Sequence, residues 1–309
     1  MGSNMFAAID VGSQAVRLKV ARRARGGILE RVHRRRVPLR SGVGALGGGA
    51  IAEESIERMV QALRDCADDC GRHRAALRAV ATSSLREASN RAEVLARIRH
   101  EAGLELEVIS GREEARLVCL GVLEGKAPQV TSLCVDLGGG SVEVALALGE
   151  HPVALHSVPA GALRLSQEVG HAEAGELRLR ASEAVAALPA GLAERTEGVA
   201  VGSSGTIRAL VEFVTGGTRR YATRAEIARA VDELAEMQPK TRRRWFDPHR
   251  AEVIAAGAAV LEATLLRLGV EWLEATKRGL RDGVLVDLSR RAPALHVAPP
   301  PAAERFRRD

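Results

Sequence analysis

The sequence predicts an α/β fold built from two related lobes. Two observations carry this reading. Strand-like and helix-like segments alternate along all of the chain, the pattern of an α/β architecture. In addition, one unit occurs twice, at Asp10 and at Asp136: an apolar strand ending in aspartate, a glycine-containing turn with a serine, and a second strand. The spacing of the two copies is too long for a solenoid repeat and points to a duplicated lobe. A length of 309 residues leaves room for two ordinary cores.

The first lobe is expected over residues 5–125. Phe6–Asp10 reads as a strand, Val11-Gly12-Ser13-Gln14 as a turn and Ala15–Ala21 as the partner strand. The polar, glycine-rich stretch Ser41–Gly49 leads into a helix with Glu53 and Glu54 in its first turn and Gly71 past its end. Met59, Leu63, Cys66 and Cys70 follow one face of that helix, so these cysteines read as core and not as a metal pair. Cys119 and Cys134, in apolar segments, read the same way. Leu77–Ala81 is a short strand ending at Thr82 and Ser83. Asn90 with Glu93 resembles a capping pair for a helix over Arg91–Ala102. Leu106–Ile109 is the next strand, and Ser110-Gly111 opens another helix.

Lys126-Ala127-Pro128 interrupts the pattern, and the second lobe is expected over residues 126–290. Ser132–Asp136, the turn Leu137–Ser141 and Val142–Leu148 repeat the first unit. Val199–Val201 then reads as a strand, Gly202-Ser203-Ser204-Gly205-Thr206 as a small-residue loop, and Ile207, Leu210, Val211 and Val214 as the apolar face of a helix. Residues 291–309, rich in Pro and Ala, are expected to be a disordered tail. No run approaches the roughly 20 apolar residues of a membrane span, and no leader-like segment opens the chain, so a cytoplasmic location is the default expectation.

Glycine turns let a backbone approach a ligand and aim N–H groups at an anion. Gly138-Gly139-Gly140-Ser141 fits that role, although an ordinary β-hairpin would use similar residues. An aspartate beside such a turn would repel phosphate unless a hard cation lies between them. Mg²⁺, with Mn²⁺ as the alternative, uses one or two carboxylates, waters and phosphate oxygens, which suits Asp136 and Asp10. The Gly202–Thr206 loop, between a strand and a helix N-terminus, is a third anion site. It lacks the Gly-Lys-Ser/Thr ending of a Walker loop and is no dinucleotide fingerprint. Glu114 shares a helix face with Leu117, Val118 and Gly121 and could deprotonate a water, but periodicity barely separates it from Glu113. Arg17 and Arg86 stand near the candidate turns and could bind phosphate oxygens, although a surface arginine more commonly forms a salt bridge.

The net charge of +6 suits a polyanionic ligand. The clusters Arg34–Arg36 and Arg242–Arg244 lack interleaved aromatics, so they read as solvated loops or polyanion-steering surfaces; no specific nucleic-acid partner is expected.

Seven segments, in order from Ala7 to Leu288, resemble the exopolyphosphatase and guanosine pentaphosphate phosphohydrolase (Ppx/GppA) family. They are AAIDVGSQAVRLKV, ATSSLREASN, ISGREEARLVCLGV, VDLGGGSVEVAL, VGSSGTIRAL, RAEVIAAGAAVLEA and GLRDGVLVDL. The resemblance implies two actin-like (ribonuclease H-like) lobes with the active site in the cleft. It implies Glu114 as catalytic base, Asp136 with Asp10 and Glu143 around the metal, and Arg17 and Arg86 on substrate oxygens. Gly12, Ser13, Ser83, Gly138, Gly139, Gly140, Ser141, Gly202, Ser203, Ser204, Gly205 and Thr206 would then contact phosphates.

The chain departs from the family pattern at the first turn, which usually reads Gly-Ser-Asn-Ser-Phe-Arg: Gln14, Ala15 and Val16 replace the middle three. That predicts weaker phosphate contact on the first lobe. Long family members carry a further C-terminal helical domain without counterpart in these residues, which predicts less processive handling of long polymers.

The expected reaction is attack of water on a terminal phosphorus with release of orthophosphate. Inorganic polyphosphate is favoured as substrate over guanosine pentaphosphate, since nothing in the sequence reads a guanine base. A kinase of the same superfamily would lack the Ile109–Val122 segment, and the altered first turn keeps a weakly catalytic sensor in play. A basic surface shared between copies would suit a homodimer.

Overall fold

The structure is a computed structural model that describes residues 4–196 and 198–291. Beyond Arg291, the expected disordered tail lies outside the described residues.

The first sheet takes β1 (Met5–Val11), β2 (Ala15–Arg23), β3 (Leu29–Pro38), β4 (Ala76–Ala81) and β5 (Glu107–Val108) in the order β3-β2-β1-β4-β5. The second takes β6 (Thr131–Leu137), β7 (Val142–Leu148), β8 (His151–Val158), β9 (Val199–Ser203), β10 (Tyr221–Thr223) and β11 (Trp272–Ala275) in the order β10-β11-β9-β6-β7-β8. Each sheet has an antiparallel three-strand meander and, on its other side, a parallel strand: β4 beside β1 and β9 beside β6. The expected duplication is therefore real at the level of topology. β1 and β6 sit centrally, which explains why both read as near-continuous apolar runs.

Helices cover the sheets. α1 (Glu53–Arg72), α2 (Ser83–Glu87), α3 (Arg91–Ala102) and α4 (Gly111–Leu123) come from the first half. From the second come α5 (Ala162–Val169), α6 (Ala174–Val185), α7 (Gly205–Thr215), α8 (Arg224–Glu236), α9 (Pro239–Arg242), α10 (Pro248–Leu268) and α11 (Leu280–Arg291). Among the described residues none is long and apolar enough to cross a membrane. α1 lays Ile56, Met59, Val60, Leu63, Cys66 and Cys70 on the first sheet, as the spacing predicts. All four cysteines are free and buried, and burial pushes the Cys66 thiol up to about 12, which keeps it inert.

Two helices depart from the expected division at 125/126. α4 precedes that point, yet Val118, Cys119, Val122 and Leu123 pack on Cys134, Ala145 and Ala147 of the second sheet. α11 comes last in the described chain, yet Val284 and Leu285 pack on Phe6, Ala8 and Val80 of the first sheet. The two helices cross between the lobes with their backbones in contact. A Cβ on Gly121 would stand 2.3 Å from the Gly279 carbonyl oxygen, and one on Gly283 would stand 1.7 Å from that of Leu117. Only glycine allows this approach.

Three further expectations change. Arg34–Arg36 lie on strand β3 and not in a loop, since β2 supplies a partner edge. Asn90 does not cap α3; its side chain bridges the Ile51 backbone, accepting from N and donating to O at 3.0 Å each. Arg242 is buried and donates from Nε to the Leu234 carbonyl at 2.9 Å, so it ties α9 to α8 and is not part of a surface patch.

Because the crossing has no room for a side chain, Gly283→Ala should destabilise the protein by about 3 kcal/mol. Denaturant unfolding measures this, and an unchanged midpoint would refute the crossing.

Candidate active site

The strand ends that carry Asp10, Asp136 and Ser203 meet the first turns of α2, α4, α7 and α11 around a cavity of about 580 Å³ between the two sheets. Strand register explains the convergence. Asp10 stands opposite Arg17 across β1 and β2, and Asp136 stands opposite Glu143 across β6 and β7. The parallel neighbours then bring Ser203 beside Asp136.

Asp10, Glu114 and Asp136 line the cavity. Burial pushes the Glu114 carboxyl up to about 7; Arg86 opposes the shift, and Asp136 and Asp10 add to it. Asp136 is also raised, chiefly by burial, against the opposing hydrogen bond of Ser203. Glu113, the alternative that periodicity left open, turns away to Arg116 and Arg78, at 2.7 and 3.3 Å. Burial therefore separates the two glutamates: Glu114 is 6% exposed and faces the carboxylates.

The glycine turns are built as the sequence suggests. Gly12 N–H donates to the Ala15 carbonyl at 3.1 Å, and Gly138 N–H to that of Ser141 at 2.9 Å. The turns also touch across the cleft. A Cβ on Gly139 would stand 3.2 Å from Cβ of Ser13, and one on Gly140 would stand 2.3 Å from Oγ of Ser83. Ser13 and Ser83 are joined at 3.1 Å between their hydroxyls. Ser204, at φ +123°, caps α7 by accepting from Ile207 N–H at 3.1 Å; strain of this kind gathers at ligand sites. Of the altered residues Gln14, Ala15 and Val16, only Gln14 reaches the cavity, because the other two are wholly buried in β2.

Gly12, Ser13, Arg17, Ser83, Gly138, Gly139, Ser141, Ser203, Ser204, Gly205 and Thr206 all line the cavity. Four expected site residues do not. Arg86 donates from Nη1 to Glu114 at 3.1 Å and to the Ile109 carbonyl at 3.0 Å, so it holds the glutamate and not open space. Gly140 is packed against Ser83, and Gly202 against Ile207 and Leu273. Glu143 lies behind the cavity, accepting from Ser157 Oγ at 2.9 Å, and burial, then Glu114 and Asp136, hold its carboxyl well above the usual range.

Among the described residues no group of three or more His, Cys, Asp or Glu side chains is arranged to hold a metal alone. Asp10 and Asp136 share the cavity, while Glu143 is set back, with its Oε2 buried and without a hydrogen-bond partner. Two cavity carboxylates and an orphaned third oxygen still fit a cation that completes its shell with water and phosphate.

Sequence reasoning missed most of the basic lining. Nine Lys or Arg residues face the cavity against five Asp or Glu, so its lining is predominantly basic. Arg208, Arg250, Lys277, Arg278 and Arg281 were not expected there, whereas Arg34–Arg36, read as solvated loops or a polyanion-steering surface, do reach it. Burial lowers Arg281, with Asp10 opposing and Arg17 adding. Arg208, Arg250 and Arg281 stand inside VGSSGTIRAL, RAEVIAAGAAVLEA and GLRDGVLVDL, which was the only available signal.

A family model described as the Ppx/GppA phosphatase family matches residues 19–292. Exopolyphosphatase 1 of Mycobacterium leprae (strain TN) is 30% identical over 306 residues, covering 90% of this chain and 87% of its own length. Exopolyphosphatase 1 of Mycobacterium tuberculosis (strain ATCC 25618 / H37Rv) is 30% identical over 307 residues, covering 90% and 86%. Among solved structures, an exopolyphosphatase-like protein superposes with a TM-score of 0.80 at 27% identity, over 93% of this chain and 99% of its own. The PPX-GPPA enzyme of Aquifex aeolicus gives a TM-score of 0.76 at 26% identity, over 92% and 99%.

The raised Glu114 makes stability depend on pH. Between the unfolded value of 4.5 and the folded value of about 7 the unfolded chain binds fewer protons, so stability falls as pH rises. Above that window the ionised carboxylate costs on the order of 3 kcal/mol. Glu114→Gln should therefore melt higher than wild type at about pH 8, with the gap closing near pH 4. Thermal melts in chelator at both pH values test this; a lower melting temperature for the variant at the higher pH would contradict it.

Proposed function

Because the chain belongs to the Ppx/GppA phosphatase family, we propose that it is an exopolyphosphatase: a metal-dependent hydrolase that releases terminal orthophosphate from inorganic polyphosphate. The observation that carries this reading is the placement of Glu114, a buried carboxylate with a value near 7, in one cavity with two carboxylates and three small-residue anion loops. A base poised near the working pH combines the correct ionisation with a useful driving force for proton transfer.

In this reading the Gly12-Ser13 and Gly138–Ser141 turns clamp the terminal phosphoryl group from opposite lobes, and Ser203–Thr206 holds it from the second lobe. Glu114 orients a water and takes its proton as the oxygen attacks phosphorus, while Arg86 keeps the carboxylate in place. Arg17, Arg208 and Arg281 offset the charge of the phosphates. Mg²⁺ or Mn²⁺ held by Asp10 and Asp136 would supply charge neutralisation of the phosphate oxygens. Polyphosphate suits the cavity better than guanosine pentaphosphate, because its lining contains no Phe, Tyr or Trp on which a guanine could stack. The free, buried cysteines suit a reducing compartment, so the proposal includes a cytoplasmic enzyme.

With Mg²⁺, wild type should release orthophosphate from polyphosphate faster than from guanosine pentaphosphate, and Glu114→Gln should lose about 10²–10⁴ in rate. Tight binding without release from either substrate would favour a sensor; release untouched by Glu114→Gln would remove the base. Because the base must be ionised, kcat/KM should rise with pH through about 7 in the wild type. Asp136→Asn should raise the Mg²⁺ concentration needed for half-maximal rate; an unchanged requirement would remove Asp136 from the metal site.

A further inference from the structure

The strand register sets like charges directly opposite each other on one face of the first sheet. Arg17 of β2 faces Arg36 of β3, and Lys19 faces Arg34. The row continues inward, since Asp10 of β1 stands opposite Arg17. Alternation puts these residues on the face shared with α11, where Lys19 is paired with Asp282. His33 and Arg35 take the other face and are held by Asp69 of α1 at 3.0 and 2.6 Å.

Like charges directly opposite each other destabilise a sheet. A charged edge strand is also a common guard against unwanted pairing, and β3 is an edge. Edge protection explains charge on β3 but not its direction. Arg34 and Arg36 make no side-chain hydrogen bond or ion pair among the described residues, and with Arg17 they line the cavity. Arg35 also reaches the cavity lining, but its guanidinium is held by Asp69. Arg17, which is paired with Asp10 at 3.4 Å, and the unpaired Arg36 and Arg34 thus form a row that leads from Asp10 to the open edge of the sheet. Neighbouring strands lie about 4.8 Å apart, so two strand steps carry this row about 10 Å from Asp10.

We propose that the Arg17–Arg36 and Lys19–Arg34 ladder is a track for the distal, unreacted part of a polyphosphate chain, leading it from the cavity floor out across β3. The inference rests on the exopolyphosphatase reading and extends it to substrate length. Planar guanidinium groups pair with successive phosphate oxygens, and an anion lying along the rows relieves the repulsion between them. The ladder has no interleaved aromatic side chain, which argues against a single-stranded nucleic acid as its occupant. It would also give this chain a grip on long substrates within its first lobe.

Calorimetric binding to the Glu114→Gln protein, in which turnover is suppressed, tests the track separately from catalysis. The probes are tripolyphosphate and a long polyphosphate of defined length, bound to that protein with and without Arg34→Gln and Arg36→Gln together. The double change should weaken long-chain binding about tenfold, and tripolyphosphate binding by much less. The slope of log affinity against log salt for the long chain should fall by roughly two, one counterion per lost cation. The melting temperature should hold or rise, because opposed charges are removed. Equal weakening for both probes, or no weakening for the long one, would overturn the track. Single-stranded RNA that competes as well as the long chain at equal phosphate concentration would also overturn it. If length-dependent, variant-sensitive binding is found but the wild type releases no orthophosphate, the track stands and the enzyme reading falls.

Discussion

Three buried carboxyls, those of Glu114, Asp136 and Glu143, have raised proton affinity, first from burial and then from neighbouring carboxylates, Asp10 among those acting on Glu114 and Asp136. Such a cluster is unfavourable for an unliganded protein, and most nearby features work to hold or offset it. Arg86 is committed to Glu114, Arg17 to Asp10 at 3.4 Å, and Ser157 to one oxygen of Glu143. The strain that remains is a preformed demand for positive charge, which a divalent cation with its phosphate ligands would meet.

Duplication supplies the cleft, but asymmetry makes it chemical. The two hairpins have equal topology, yet at equivalent register positions one carries Arg17 and the other Glu143. One lobe therefore presents an acid–base pair and the other two acids. The exchange of α4 and α11 between lobes couples them: the helix that bears Glu114 packs on the second sheet and crosses, backbone on backbone, the helix that bears Arg281 and packs on the first. Elsewhere between the lobes, Arg164 of α5 donates to Glu87 of α2 at 2.6 Å and to the Gly140 carbonyl at 2.9 Å. These contacts, with others such as Arg40 to Glu252 at 2.8 Å, hold the two lobes against each other.

The altered first turn has a narrower meaning than its sequence implies. Two of the three changed residues serve the core, Val16 by packing with Leu18 and Ile9 against α1. Gln14 alone alters what a ligand would meet, and its carbonyl also receives the Leu39 N–H at 2.9 Å. Any effect on phosphate contact therefore passes through one side chain.

The sequence by itself determined the local pieces: the α/β alternation, the two strand–Asp–turn units, the helix faces of Cys66 and Cys70, and the small-residue loop before α7. Each depends on neighbours a few residues apart, through periodicity and backbone freedom, and is legible without a fold. Only the tertiary structure decided which glutamate is buried, that Arg86 serves Glu114, that Glu143 is set back from the cavity, that α4 and α11 change sides, and that Arg34 and Arg36 join a row beginning at Asp10. Those outcomes depend on strand register and on packing between segments far apart in the chain. Desolvation and charge pairing act through space, so no spacing within one segment encodes them.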